Sequence, residues 1–275
     1  MLPNFICPGA QKAATSTLYD ILKEHPDIYL PTKRKETHFF DRDENFARGI
    51  EWYQQEFYDG VETQKIIGDI TPIYMYLPYI PQRFYDYLGP DIQFVFILRN
   101  PVDRAYSQYL MNVRNGVESE PFNSAILLEE KRIMQGGKAR QDYSYTSRGF
   151  YSEQIERFLN IFPIENMKFI VFEEFIEKTE EMVGEILQFL KLEPHSLNCS
   201  IQSNKSFEYK GSLSKNATKT LEGILPKKTK QLIPDSWKKY WMSLTTKKPQ
   251  KIDPILRTQL TNMYADDIRN LEDLI

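Results

Sequence analysis

The stretch whose reading decides the fold runs from Cys7 to Leu22, CPGAQKAATSTLYDIL. It begins at the end of a short apolar run, Phe5-Ile6-Cys7, and passes through Pro8-Gly9, a lysine, small residues and three consecutive hydroxyls. Helical spacing follows, with Leu18, Ile21 and Leu22 on one face. Asn4–Cys7 therefore reads as a strand and Thr15–Lys23 as a helix stopped by His25-Pro26. The first amides of a helix lack partners within it and, with the helix dipole, attract anions. Gly9 lets the backbone turn, Ala10, Ala13 and Ala14 admit close approach, Lys12 adds charge, and Thr15, Ser16 and Thr17 add hydroxyl donors. The loop suits a phosphate or a sulfate.

The same rhythm repeats along the chain. Lys65–Ile70, Gln93–Leu98 (QFVFIL) and Lys168–Phe172 (KFIVF) read as strands. Val102–Val113, behind Pro101, reads as a helix, as do Tyr151–Phe162 and Thr179–Leu190. Such alternation predicts an α/β fold with a mostly parallel central sheet flanked by helices, and its ligand site at the carboxyl ends of the strands. Asn115–Ser147 is less regular and reads as a helix plus a mobile loop. Asn198–Pro249 is polar and lysine-rich without a clear pattern, and Asp253–Leu271 reads as a closing helix. With no repeat or low-complexity linker, one domain over 1–275 is expected, its 198–275 part a lysine-rich extension packed on the core.

Composition narrows the function classes. The chain has 275 residues, 41% of them hydrophobic and 27% charged, enough to bury a large core. A net charge of -3 speaks against a general nucleic-acid binder. Twelve lysines between Lys205 and Lys251 face only Glu208, Glu222 and Asp235, which gives either a solvated surface or an attractor for an anionic ligand. Cys7 and Cys199 form no CxxC pair and His25, His38 and His195 are scattered, so no metal site is expected. No run reaches the ~18 apolar residues of a membrane span, and no leader pattern precedes the first strand. A cytoplasmic location is expected.

The loop is not a Walker motif. Lys12 stands three residues before Thr15 instead of directly before a hydroxyl, and the second glycine is absent. Asp69 is the one candidate strand-end carboxylate for magnesium. GAQKAATSTLYDIL instead resembles the 5′-phosphosulfate loop of sulfotransferases that use 3′-phosphoadenosine 5′-phosphosulfate (PAPS). A second piece, FVFILRNPVDRAYSQYLMNVRNG from Phe94 to Gly116, puts Arg99 at a strand end and Ser107 on the following helix. In the resembled family an arginine and a serine at this spacing bind the 3′-phosphate, and a guanidinium is suited to forked phosphate contacts.

A third piece, PTKRKETHFFDRDENFARGIEWYQQEF from Pro31 to Phe57, resembles the heparan-type glycan sulfotransferases. The resemblance makes Glu36 the base that takes the acceptor proton, with His38 beside it. Read from the residues alone, Glu36 also suits a surface carboxylate and His38 a hydrogen-bonded core histidine. A fourth, SRGFYSEQIERFLNIFPIENMKFIVFEEF from Ser147 to Phe175, brings Arg148, Gly149 and Tyr151 toward cofactor or acceptor. Lys210, Gly211 and Ser212 loosely match the last cofactor loop. The chain departs from the animal enzymes at Asp69-Ile70-Thr71-Pro72, where they often carry Glu-Lys-Thr-Pro, and in having no cysteine pair for their late disulfide.

The resemblance implies a P-loop-like nucleotide-binding architecture and a soluble, prokaryote-like member. It implies sulfuryl transfer from PAPS to a hydroxyl or amine, with a carbohydrate or glycoconjugate as acceptor and no metal. Adenosine 3′,5′-bisphosphate is the coproduct. Lys12, Glu36 and His38 are the expected catalytic residues. Gly9, Gln11, Lys12, Ala13, Ala14, Thr15, Ser16, Thr17, Arg99, Ser107, Tyr151, Lys210, Gly211 and Ser212 are the expected cofactor contacts. An ATP- and magnesium-dependent kinase, or a non-catalytic binder of anionic glycans through the lysine block, are the rival readings. The sequence does not give the oligomeric state.

Overall fold

The computed structural model describes residues 1–200, 208–209, 237, 243–247 and 250–275. Its centre is a five-stranded parallel sheet in the order β2-β3-β1-β4-β5. The strands are β1 (Phe5–Gly9), β2 (Ile28–Tyr29), β3 (Ile66–Ile70), β4 (Gln93–Leu98) and β5 (Met167–Val171). All five residues of both β1 and β3 are buried, as expected of inner strands covered on both faces. In register, Phe5 lies opposite Gly68 on one side and Gln93 on the other. From β1 the chain leaves toward β2, and from β4 toward β5, so their connections diverge. That divergence opens a crevice at their carboxyl ends.

The helices follow from local signals. The first is α1 (Thr15–Leu22), which buries Leu18, Ile21 and Leu22. Between β2 and β4 lie α2 (Asp43–Phe46), α3 (Ile50–Tyr58) and α4 (Ile80–Leu88). α5 (Pro101–Asn115) starts with Pro101 in its first turn, where a missing N–H costs nothing. The Asn100 side chain caps it by accepting from the amides of Val102 and Asp103 at 3.1 and 3.2 Å, and Gly116 closes it in the left-handed region. α9 (Tyr151–Leu159), α10 (Phe172–Glu177) and α11 (Thr179–Phe189) complete the sheet's cover. The core beside β4 is largely aromatic: Phe94, Phe96 and Phe158 are fully buried, with Phe158 edge-on to both at 5.4 and 5.1 Å.

Three expectations are corrected. β1 extends to Gly9, because Ala10 still donates to the Ile97 carbonyl at 2.8 Å. The irregular segment after α5 forms three short helices, α6 (Phe122–Leu127), α7 (Glu129–Ile133) and α8 (Gly137–Tyr143). The closing helix is two helices, α12 (Pro254–Met263) and α13 (Ala265–Leu274), broken at Tyr264. Tyr264 is fully buried and donates to the Thr146 carbonyl at 2.8 Å, and α13 packs on α9. Glu208–Tyr209 (β6) and Thr246–Lys247 (β7) pair antiparallel, with β6 against α5. Lys210, Gly211, Ser212 and most of the lysine block lie outside the described residues. Among the described residues no helix is long and apolar enough to cross a membrane.

Candidate functional site

The loop after β1 takes its shape from a close packing at Gly9. Met75 donates its amide to the Pro8 carbonyl at 2.8 Å, and a Cβ placed on Gly9 would lie 2.7 Å from the Cβ of Met75. The glycine serves this approach. The turning expected of it falls instead on Lys12 (φ 73°) and Ala14 (φ 58°), both in the left-handed region. Such a turn curls successive amides into a concave anion nest. Ala14 is the N-cap of α1, with no side-chain cap and no acid in the first turn, so the helix's positive end is left open. Ser16 accepts a hydrogen bond from Lys35 Nζ at 2.8 Å, while Thr15 and Thr17 are buried.

This loop forms one wall of a cleft of about 670 Å³. Arg99, at the end of β4, donates from Nη1 to the Lys12 carbonyl at 2.8 Å, and its guanidinium lies over the Phe172 ring at 4.4 Å. Arg148 is almost fully buried and donates to Gln11 Oε1 at 2.6 Å and to the Gln141 carbonyl at 2.5 Å. The Nε atoms of both arginines are buried without a hydrogen-bond partner among the described residues. Burial, then the nearby Arg104, pulls the Arg148 guanidinium down to about 9. Lys12 Nζ touches Met111 Sδ at 3.7 Å. Burial, followed by the charges of Arg114, Arg99 and Arg104, pulls it down to about 8. Lys12, Arg42, Arg114 and Arg148 line the cleft against Glu36 and Asp142, an excess of positive charge that suits an anion.

Facing the lysine stand Glu36 and His38. His38, at φ 52°, sits in a tight turn held by Asn45 Nδ2 donating to its carbonyl at 2.7 Å. Its Nδ1 donates to Asp41 at 3.0 Å, and its Nε2 faces Glu36 Oε2 at 3.4 Å. Burial opposes charge on the imidazole, but the hydrogen bonds to Asp41 and Glu36 outweigh it and raise His38 to about 9. Burial likewise opposes charge on Glu36. The His38 hydrogen bond and the charges of Lys35, His38 and Lys12 prevail and hold it below the ordinary glutamate value. The carboxylate is therefore ionised near neutrality and able to accept a proton.

Asp69 is not available to a metal. It is fully buried, and Thr37, Thr71 and Tyr53 donate hydroxyls to it at 2.6, 2.6 and 2.7 Å, which saturates the carboxylate and pins the Glu36–His38 segment to β3.

The structure brings Gln11, Lys12, Ala14, Thr15, Ser16, Thr17, Glu36 and His38 onto one cleft, with Arg148. Gly9 and Ala13 are buried in the loop's support. Arg99 braces the loop from the side. Ser107 is buried on α5, and Tyr151 is buried and donates to the Arg99 carbonyl at 3.0 Å, so both stand off the cleft wall. The sequence reading missed Asp41, Lys35 and Arg114. Asp41 and Lys35 lie within six residues of Glu36, and Arg114 stands one turn beyond Met111, a helical spacing that faces both toward Lys12.

Comparison with known proteins gives consistent relatives. A model of the sulfotransferase domain matches residues 2–264. Heparan sulfate glucosamine 3-O-sulfotransferase 5 of Mus musculus is 30% identical over 195 residues, covering 70% of this chain and 54% of that protein. Heparan sulfate glucosamine 3-O-sulfotransferase 3B1 of Homo sapiens is 28% identical over 191 residues, covering 70% of this chain and 46% of that protein. The chain thus spans about half the length of the curated relatives it matches. The crystal structure of a sulfotransferase from Alicyclobacillus acidocaldarius superposes with a TM-score of 0.73 at 30% identity, over 100% of this chain and 96% of that one.

Proposed function

This chain belongs to the sulfotransferase domain family, and on that premise we propose that it transfers a sulfuryl group from PAPS to a hydroxyl or amine of a carbohydrate acceptor. One observation carries the donor assignment. Arg99 Nη1 donates to the Lys12 carbonyl at 2.8 Å and its guanidinium lies over the cleft-lining Phe172 ring, so the guanidinium after β4 is seated directly beside the loop after β1. A nucleotide with a charged group at each end matches that pairing, and an anion with a single group does not use it.

The loop amides, with Thr15, Ser16 and Thr17, would hold the 5′ end, and Arg99 with the α5 segment around Ser107 the 3′-phosphate. Tyr151 acts by fixing Arg99. PAPS supplies an activated sulfuryl group with adenosine 3′,5′-bisphosphate as leaving group. Glu36 takes the acceptor's proton as the new O–S or N–S bond forms and the S–O bond to the 5′-phosphate breaks. His38, held by Asp41, keeps Glu36 ionised and aimed. Lys12 neutralises the charge that builds on the leaving phosphate oxygen, the kind of preorganised electrostatic aid that dominates group transfer between oxygens. A carbohydrate acceptor rests on the relatives, which are heparan sulfate glucosamine 3-O-sulfotransferases. Residues 1–275 are taken as one unit, since Arg257 of α12 pairs with Asp103 of α5 at 2.8 and 2.9 Å. Lys210, Gly211 and Ser212 remain proposed donor contacts.

The test is transfer of radiolabelled sulfur from PAPS to a panel of oligosaccharides in EDTA, with products read by mass spectrometry. Transfer is expected, and Lys12→Ala should lower kcat by about 10²–10³, the usual loss for one such donor. A requirement for ATP and magnesium would make the chain a kinase, and glycan binding without transfer would make it a binding protein.

A further inference from the structure

Three consecutive cations, Lys33, Arg34 and Lys35, precede Glu36, and the structure sends them three ways. Lys33 reaches outward to Glu56 of α3 at 2.6 Å. Arg34 turns onto its own segment, donating from Nε to the Glu36 carbonyl at 2.7 Å and from Nη2 to the Thr37 carbonyl. Of the three, Lys35 alone turns toward α1. Its Nζ donates to Ser16 Oγ at 2.8 Å and stands 3.7 Å from Glu36 Oε1. Thr37 is itself bonded to Asp69 at 2.6 Å, so the backbone that carries Lys35 is fixed by its neighbours.

The contact has a chemical direction. An ammonium only donates, so Ser16 Oγ accepts. A serine hydroxyl has one proton of its own to give, and this one makes no other hydrogen bond among the described residues. Ser16, the second residue of α1, lines the cleft, and Lys35 stands behind it. The hydroxyl proton therefore points away from Nζ, and the cleft at the helix's positive end is the side left open to it. The Lys35 side chain is only 21% exposed, so its charge is weakly screened. Burial is the largest influence on this lysine and draws it below its ordinary pKa, while Glu36, the Cys7 thiol of β1 and Asp20 of α1 act the other way.

We propose that Lys35 is a positioning residue for the transfer: its ammonium orients and polarises the Ser16 hydroxyl toward the anionic 5′ end of the donor, and the same group ties that loop to the base, Glu36. The proposal rests on the sulfotransferase reading above and adds to it a residue that acts from behind the cleft wall. Lys35 touches neither donor nor acceptor. A hydroxyl polarised by a half-buried cation donates more strongly. Its worth grows as charge builds on the leaving phosphate oxygen, so the contact serves the transition state more than the bound donor.

A double-mutant cycle over Ser16→Ala and Lys35→Met tests this, read by calorimetric titration with adenosine 3′,5′-bisphosphate and by kcat for sulfur transfer from PAPS. Each single variant should weaken the bisphosphate about tenfold, the worth of one charge-assisted hydrogen bond. The double variant should lose no more, because both changes remove the same contact, and kcat should follow the same pattern. A second readout separates the two residues. Lys35→Met takes a cation from beside Glu36 and raises its pKa, so the acid limb of kcat/KM should move to higher pH, whereas Ser16→Ala should leave it in place. His38, held by Asp41, and Lys12 also face Glu36 and are the same in both variants. Lys35→Gln, which keeps a donor without the charge, takes the place of Lys35→Met if that protein does not fold. Additive losses, wild-type affinity in the lysine variant, or an acid limb that does not move overturns the proposal and leaves the sulfotransferase reading standing. A wild-type protein that neither binds the bisphosphate nor transfers sulfur overturns that reading, and this proposal with it.

Discussion

Lys12 is valuable to the proposed chemistry only while it is charged, and its surroundings work against that charge. Burial contributes most to the depression toward about 8, and Arg114 is the largest of the neighbouring cations. A group that must be protonated and titrates near 8 gives activity that falls as pH rises through that value. The free enzyme's pKa is reported by kcat/KM, so kcat/KM for PAPS should decline above about pH 8. Glu36, held below the ordinary glutamate value, adds nothing to that limb, and His38, raised to about 9, titrates beyond Lys12. Removing a like charge raises the lysine's pKa, so Arg114→Gln should move the limb to higher pH. Pre-steady-state or steady-state pH–rate profiles of both proteins read this directly. A limb at the same pH in the variant would show that Arg114 does not act on Lys12. Lys12 and Glu36 were legible from the sequence because each sits in a contiguous motif. Asp41 was not, since its role depends on the left-handed turn at His38 that folds it back three residues.

At the scale of elements, the strand-loop-helix unit of β1 and α1 depends on one close contact. Substituting Gly9→Ala puts a methyl 2.7 Å from Met75 Cβ and 2.8 Å from its Sδ, and the Cβ belongs to the stem of the side chain, which cannot swing away. Overpacking of this kind costs about 1–3 kcal/mol, and a denaturant melt of the variant should show a loss in that range. A midpoint equal to wild type would mean that β1 and the Met75 segment can separate freely. The long, strongly patterned elements were readable in advance. QFVFIL has the composition of a covered strand, and Pro101 and Gly116 bracket α5 with their own backbone chemistry. The helices α6, α7 and α8, of 6, 5 and 7 residues, are too short to establish a period. The break between α12 and α13 escaped for the opposite reason. Tyr264 fits the helical apolar pattern, and only its burial against Phe150, at 4.9 Å between rings, and against Gly149 ends the helix there.

Across the whole molecule, the last helix reaches the first loop through three hydrogen-bonded steps. Asp267 on α13 accepts from the amides of Tyr151 and Ser152 at 2.7 and 3.1 Å and from the Ser152 hydroxyl at 2.5 Å, capping α9 from outside. Tyr151 then holds the Arg99 carbonyl at 3.0 Å, and Arg99 holds the Lys12 carbonyl at 2.8 Å. No sequence pattern announces a chain of contacts whose ends are more than 250 residues apart; it exists only once the sheet has brought β1 and β4 together. Its consequence is that the C-terminal helices position the site without lining it. Asp267→Ala removes three hydrogen bonds and leaves two amides at the start of α9 uncapped, a loss of about 1–3 kcal/mol. Because the displaced Tyr151 no longer fixes Arg99, affinity for adenosine 3′,5′-bisphosphate should fall as well, by about tenfold if one charge-assisted contact loosens. Thermal melting and calorimetric titration of the same variant separate the two effects. A lower melting temperature with unchanged bisphosphate affinity would mean that α13 merely packs on α9 and that Arg99 keeps its place without help.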